Sequence, residues 1–222
     1  MVDDSFWEVQ SDESRVKTAI VEDFFVGWAR IIGAHQKKQQ GRVALAYADL
    51  FAGRGVYLDG NESTAMRITR RVVENDVWRA STQLFFNERD GELLAHLQTS
   101  LATIPRYDEL ALKPIFTNDE VDANYRGCLK ALEGRPTFYF VDPFGYKGIS
   151  LDMLSDLVES FGNDLIFFFN YLRIRGAVSG DPFVERMHEI FGDRAVALRQ
   201  EVALLHGYRR GKDPRRHARR AV

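Results

Sequence analysis

An apolar run beginning at Val43 stops at Asp49-Leu50 and then breaks into Gly53-Arg54-Gly55. The same kind of event, a short apolar segment ending in an acidic or amide side chain, occurs at Glu88, at Asn118-Asp119 and at Asp142. Several of these segments are apolar throughout rather than alternating, which is the pattern of strands covered on both faces. Strands of that kind belong to parallel sheets, and parallel neighbours need crossover connections, usually helical. Ligands in such sheets sit at the carboxyl ends of the strands.

The intervening segments supply the helices. Strands are expected over 43–50, 81–87, 110–117, 137–141 and 164–169, the third disturbed by Pro114. Before them, Val16, Ile20, Phe24 and Trp28 recur at helical spacing and predict an amphipathic helix over 11–32, followed by a polar connector over 35–42. Ser63 or Thr64 is placed to cap a helix running to about Trp78. Further helices are expected over 90–102, 121–132 and 150–160, the last capped by Ser150, and a helical stretch over 181–205. The fold class is α/β, a doubly wound, mainly parallel sheet with an N-terminal helix. The divisions expected are a helical lead-in over 1–42, an α/β core over 43–171, a helical extension over 172–206 and a basic tail over 207–222.

Charge separates body from tail. The net charge is −2, but residues 207–222 carry seven Arg or Lys against one Asp, leaving the rest at −8. An acidic body argues against a broad nucleic-acid-binding face, while the tail reads as a solvated terminus able to attract phosphates. Cys128 is the single cysteine, so neither an internal disulfide nor a cysteine-rich zinc site is available. No apolar stretch approaches the roughly 20 residues of a membrane span, and the acidic start is unlike a signal peptide. A cytoplasmic protein is expected.

The strand ends suggest a nucleoside site. A carboxylate ending the second strand can accept from both hydroxyls of a ribose. Glu88 follows Asp49 by 39 residues, farther than in a dinucleotide fingerprint, and the long segment from Gly55 to Trp78 accounts for the excess. Only Gly53 and Gly55 are present, which weighs against a nicotinamide dinucleotide, and a P-loop is excluded by the missing Gly-Lys-Ser/Thr.

Asp49-Leu50-Phe51-Ala52-Gly53-Arg54-Gly55 resembles the first motif of class I S-adenosylmethionine-dependent methyltransferases. Asp142-Pro143-Phe144-Gly145 occupies the position of their Asp/Asn-Pro-Pro-aromatic motif at the fourth strand. Together with residues 17–28, Ser63 and Glu88, the ordered set resembles the bacterial three-Cys-motif partner proteins over about 11–171. The resemblance implies a Rossmann-like methyltransferase fold with S-adenosylmethionine lying across Gly53 and Gly55, beside Phe51. It implies Asp49 near the methionine ammonium, Glu88 on the ribose hydroxyls and Asp119 near the adenine amino group. Asp142, Pro143 and Phe144 would face the methyl acceptor, a nitrogen on nucleic acid or on a partner protein.

Two departures from that pattern matter. Phe144 replaces the second proline and Gly145 stands where the aromatic should be, so stacking on a base would need Phe144 or Tyr146 in another geometry. The sheet of this class ends in an antiparallel hairpin, and residues after Leu205 look unlike a packed element. A truncated or altered C-terminus is expected, leaving the C-terminal part of the sheet incomplete and an edge that favours oligomerisation or instability. Cytosine-5 methylation is excluded by the missing Pro-Cys nucleophile. Magnesium held by Asp142 and Glu88, as in a nuclease, is the poorer reading because only Lys147 lies near. Two readings remain: a methyltransferase, and a non-catalytic module that keeps the fold to bind a partner such as a three-Cys-motif protein.

Overall fold

The computed structural model describes residues 10–143 and 148–168, together with 192 and 194. Expectations for Phe144, Tyr146, residues 169–171, the 172–206 extension, the closing hairpin and the basic tail lie outside the described residues. The chain divides into two compact units, Met1–Pro143 with Met153–Phe168 and Phe144–Asp152 with Phe169–Val222. The sheet lies in the first.

Five strands, β1 (Leu45–Asp49), β2 (Thr82–Asn87), β3 (Ile115–Thr117), β4 (Thr137–Val141) and β5 (Asp164–Phe167), pair in the order β3-β2-β1-β4-β5, all parallel. The expected α/β doubly wound sheet is therefore observed. Burial follows position: every residue of β1 and β4 is buried, whereas β3 and β5, at the edges, are only partly covered. The order reverses between β1 and β4, and such a switch point opens a crevice at the carboxyl ends of the two strands.

Helices cover both faces. On one, α1 (Asp12–Gln40), α2 (Thr64–Glu74) and α4 (Gly91–Ala102) contribute Phe25, Trp28, Met66, Ile68 and Leu97 to a cluster with Tyr47, Phe86 and Phe138. Phe25 meets the edges of Tyr47 and Phe138 at 5.6 and 5.9 Å, an arrangement that aromatic quadrupoles favour. Alternation turns Ala46, Ala48, Phe85 and Tyr139 to the other face. There α5 (Val121–Ala131) and α6 (Leu151–Val158) are joined by a hydrogen bond from Tyr125 Oη to Asp156 at 3.1 Å.

Four expectations need correction. The polar connector over 35–42 is instead the last turns of α1: Lys37, Lys38, Gln39 and Gln40 are good helix formers, and their positive charge suits a helix C-terminus, so only Gly41 stops the helix. Buried Gln36 there clamps the entry to β1, accepting from Ala44 N at 2.9 Å and donating to its carbonyl at 3.1 Å. The helix expected to run to Trp78 is split, because Asn75 Oδ1 caps a second helix, α3 (Asp76–Ser81), through the N–H groups of Val77 and Trp78. The third strand keeps only Ile115–Thr117, and Tyr107–Glu109 forms a 3-10 turn ahead of it. Strand β1 begins two residues later than expected. The Ser63 cap holds, its hydroxyl accepting from Met66 N, and α6 begins directly after Ser150.

Candidate functional site

Asp49 closes β1 at the switch point and is 1 % exposed. Its Oδ1 accepts from Phe51 N at 3.2 Å and its Oδ2 from Tyr47 Oη at 3.3 Å. Burial pushes its pKa up to about 7; the Phe51 N–H and Tyr47 hydroxyl pull it back, while the Asp142 and Glu88 carboxylates push it further up. The same burial and the neighbouring Asp49 hold the Tyr47 phenol well above its usual range.

After Asp49 the chain passes from one neighbouring strand to the other. Leu50 N still donates to Phe140 O in β4 at 3.1 Å, but Ala52 N donates to Asn87 O in β2 at 3.0 Å. The turn therefore arches over the end of β2, where Glu88 holds it: Oε2 accepts from Gly53 N and Oε1 from Asp90 N, both at 3.0 Å. Glu88 is buried, yet each oxygen has a further lone pair for a ligand hydroxyl.

The two glycines have different reasons. Gly53 takes φ 64° to present its N–H to Glu88, a left-handed conformation that other residues adopt at a cost. Gly55, at φ 93°, is pressed against α4: a Cβ would stand 3.1 Å from Ser100 Cβ and 3.3 Å from Leu97 Cα. Its missing side chain makes room for a helix of the protein itself. Between them, Arg54 Nε is buried and has no hydrogen-bond acceptor among the described residues, which leaves it an available donor.

Asn87, which sequence reasoning passed over, ties three strand ends together. Its Nδ2 donates to Leu50 O at 3.2 Å and Asp119 O at 3.0 Å, and its Oδ1 accepts from Thr117 Oγ1 at 2.8 Å and Asn124 Nδ2 at 3.2 Å. An amide at the last residue of an apolar strand, one before the acidic residue, is the signal that could have found it. Asp119 is anchored through its main-chain carbonyl, and its side chain is exposed at the end of β3. It does not join the Asp49, Glu88 and Asp142 group.

Asp142 lies at the end of β4, about a quarter exposed, and forms an ion pair with Lys17 of α1. The Lys17 ammonium also stands 5.3 Å from the ring centroid of Phe168, just past β5. Lys17 is the second residue that the strand-end argument missed; its only trace in sequence is its position at the edge of the inward face of α1, beside buried Thr18. Pro143 is buried, and Phe51 is half-buried in the turn.

The site is thus three carboxylates around the β1–β4 crevice, one ion-paired and one held protonated up to near neutral pH, beside a glycine turn with a spare guanidinium donor. This donor set fits a cationic ligand bearing hydroxyl groups. Among the described residues no group of His, Cys, Asp or Glu is arranged to hold a metal ion, and no helix is long and apolar enough to cross a membrane. No family model, curated protein or solved structure matches the chain.

Proposed function

We propose that the crevice between β1 and β4 binds S-adenosylmethionine and that the protein is methyltransferase-like. The observation that supports this is the buried Asp49 carboxylate at the switch point, its proton affinity raised by burial and by two further carboxylates. A cation placed there would restore its ionised form, and the methionine ammonium and the sulfonium are both cationic. Glu88 accepts ribose hydroxyls with its remaining lone pairs, and Arg54 Nε can donate to the ligand carboxylate. When bound, S-adenosylmethionine supplies an electrophilic methyl group. Asp142 then orients an acceptor nitrogen on nucleic acid or on a partner protein, with Pro143 shaping the wall beside it. Asp119, exposed just past β3, would meet the adenine from outside the Asp49, Glu88 and Asp142 group.

A second reading has its own observation. Asp142 is already paired with Lys17, so the carboxylate that should orient an acceptor is neutralised by the protein itself. A non-catalytic module that keeps the fold to bind another protein, such as a three-Cys-motif protein, would have this arrangement. Tritium transfer from labelled S-adenosylmethionine to total RNA, DNA and protein separates the two: transfer lost in Asp142→Ala supports catalysis. Cofactor binding without transfer to any pool supports the module.

A further inference from the structure

Helix α1 has two apolar faces. One, with Val21, Phe25, Trp28 and Ala29, is buried on the sheet. The other is exposed: Val16 is 60 % exposed, Ile20 42 %, Phe24 61 % and Ile31 70 %. At 100° per residue these positions and Gly27 fall within an arc of about 80°, a continuous stripe along the helix. It is prolonged by Phe161, 79 % exposed, whose ring lies 5.6 Å from that of His35, one turn beyond Ile31. Gly27, in the middle of the stripe, has nothing within 4 Å of the position its Cβ would occupy. Glycine is the poorest helix former after proline, and among the described residues the packing of α1 gives no reason for one there.

The stripe is complementary to itself when reversed. Set antiparallel about its midpoint, it puts Phe24 opposite Gly27, Ile20 opposite Ile31, Val16 opposite His35 and Glu13 opposite Lys38. A bulky ring meets a glycine gap, and each pairing occurs twice by symmetry. Charge agrees along one border, where Asp12 falls near Lys37 and Asp23 near Arg30 of the second helix, all four exposed. On the other border Lys17 is engaged with Asp142. A parallel arrangement would set Glu13 against Glu13 and Phe24 against Phe24.

We propose that two copies of this chain associate through α1, antiparallel about a twofold axis, with Phe24 of each seated on Gly27 of the other. Sedimentation velocity over a wide range of protein concentration tests this. The wild type is expected to pass from monomer to dimer. Gly27→Leu, which fills the gap, is expected to weaken association about tenfold or more. Glu13→Lys and Lys38→Glu are each expected to weaken it, and the double exchange to restore it, because the exchanged pair again has opposite signs. Glu13 and Lys38 are exposed, and Gly27, though half-buried, has open space where a side chain would start, so far-UV circular dichroism should be unchanged; if Gly27→Leu fails to fold, the charge exchange decides. A wild type that stays monomeric at every concentration overturns the proposal. So does a dimer indifferent to both Gly27→Leu and the charge exchange.

Discussion

Lys17 and Asp142 are 125 residues apart in sequence and form an ion pair at the mouth of the β1–β4 crevice. The pair joins the first long helix to the end of the fourth strand, so the helix that covers one face of the sheet also sets the charge of the site. Each partner is about a quarter exposed, which limits what the contact contributes to stability. Its larger effect is electrostatic. Without Lys17, Asp142 stands uncompensated near Asp49.

Lys17→Met should therefore lower stability by only about 1 kcal/mol in urea denaturation. It should also raise the Asp49 pKa further above about 7, readable by carboxyl carbon-13 titration. An unchanged Asp49 titration would show that Lys17 is electrically remote from the crevice.

Asp49 itself makes stability depend on pH. Its folded pKa of about 7 exceeds the unfolded value near 3.8, so the folded state holds the proton more tightly between those values. Stability then falls as pH rises from about 4 to about 7 and levels off above, the opposite of a salt-bridged carboxylate. Asp49→Asn should abolish this slope and be more stable than wild type at pH 8 by about 2 to 4 kcal/mol, because each tenfold change in proton affinity is worth about 1.4 kcal/mol. Chemical denaturation across pH 4 to about 8 measures both.

Gly55→Ala tests whether the second glycine serves the fold. The added Cβ meets Ser100 and the Leu97 backbone at 3.1 and 3.3 Å while φ stays at 93°. A loss of about 2 kcal/mol or more is expected in guanidinium denaturation. A neutral substitution would mean that α4 retreats freely.

Asn87→Ala removes the amide that links the ends of β1, β2 and β3. Two carbonyl acceptors and the Thr117 hydroxyl lose their partner in a buried setting, a loss of about 2 to 3 kcal/mol. Amide hydrogen exchange should show it as faster opening of the turn after β1, where Ala52 N–H bonds to Asn87 O.

The sheet was legible because its strands are apolar runs of the right length, four of them stopped by a polar side chain, and that signal is local. Ser63 was legible as a cap for the same reason. What escaped depends on partners far along the chain. Nothing local marks Lys17 as the counter-ion of Asp142. Gly55 reads as a ligand turn because its real neighbours, Leu97 and Ser100, lie on a helix four elements later. Gln36 and Asn75 are polar residues inside a segment expected to be featureless or helical throughout, and each matters through main-chain groups that composition does not reveal. The exposed stripe of α1 is legible as apolar periodicity, but Val16, Ile20 and Phe24 share that spacing with buried Trp28, and sequence alone gives no sign of which side of the helix meets the sheet.

Binding of a cationic nucleoside ligand beside Asp49 carries the proposed function. Isothermal titration of S-adenosylmethionine into the wild type and Asp49→Asn, at pH 6 and pH 8, tests it most directly. The expected result is saturable binding by the wild type, tighter at pH 8, with proton release on binding at pH 6, and no binding by the folded Asp49→Asn protein. Absence of binding heat from folded wild type at both values, or equal affinity in Asp49→Asn, would contradict it.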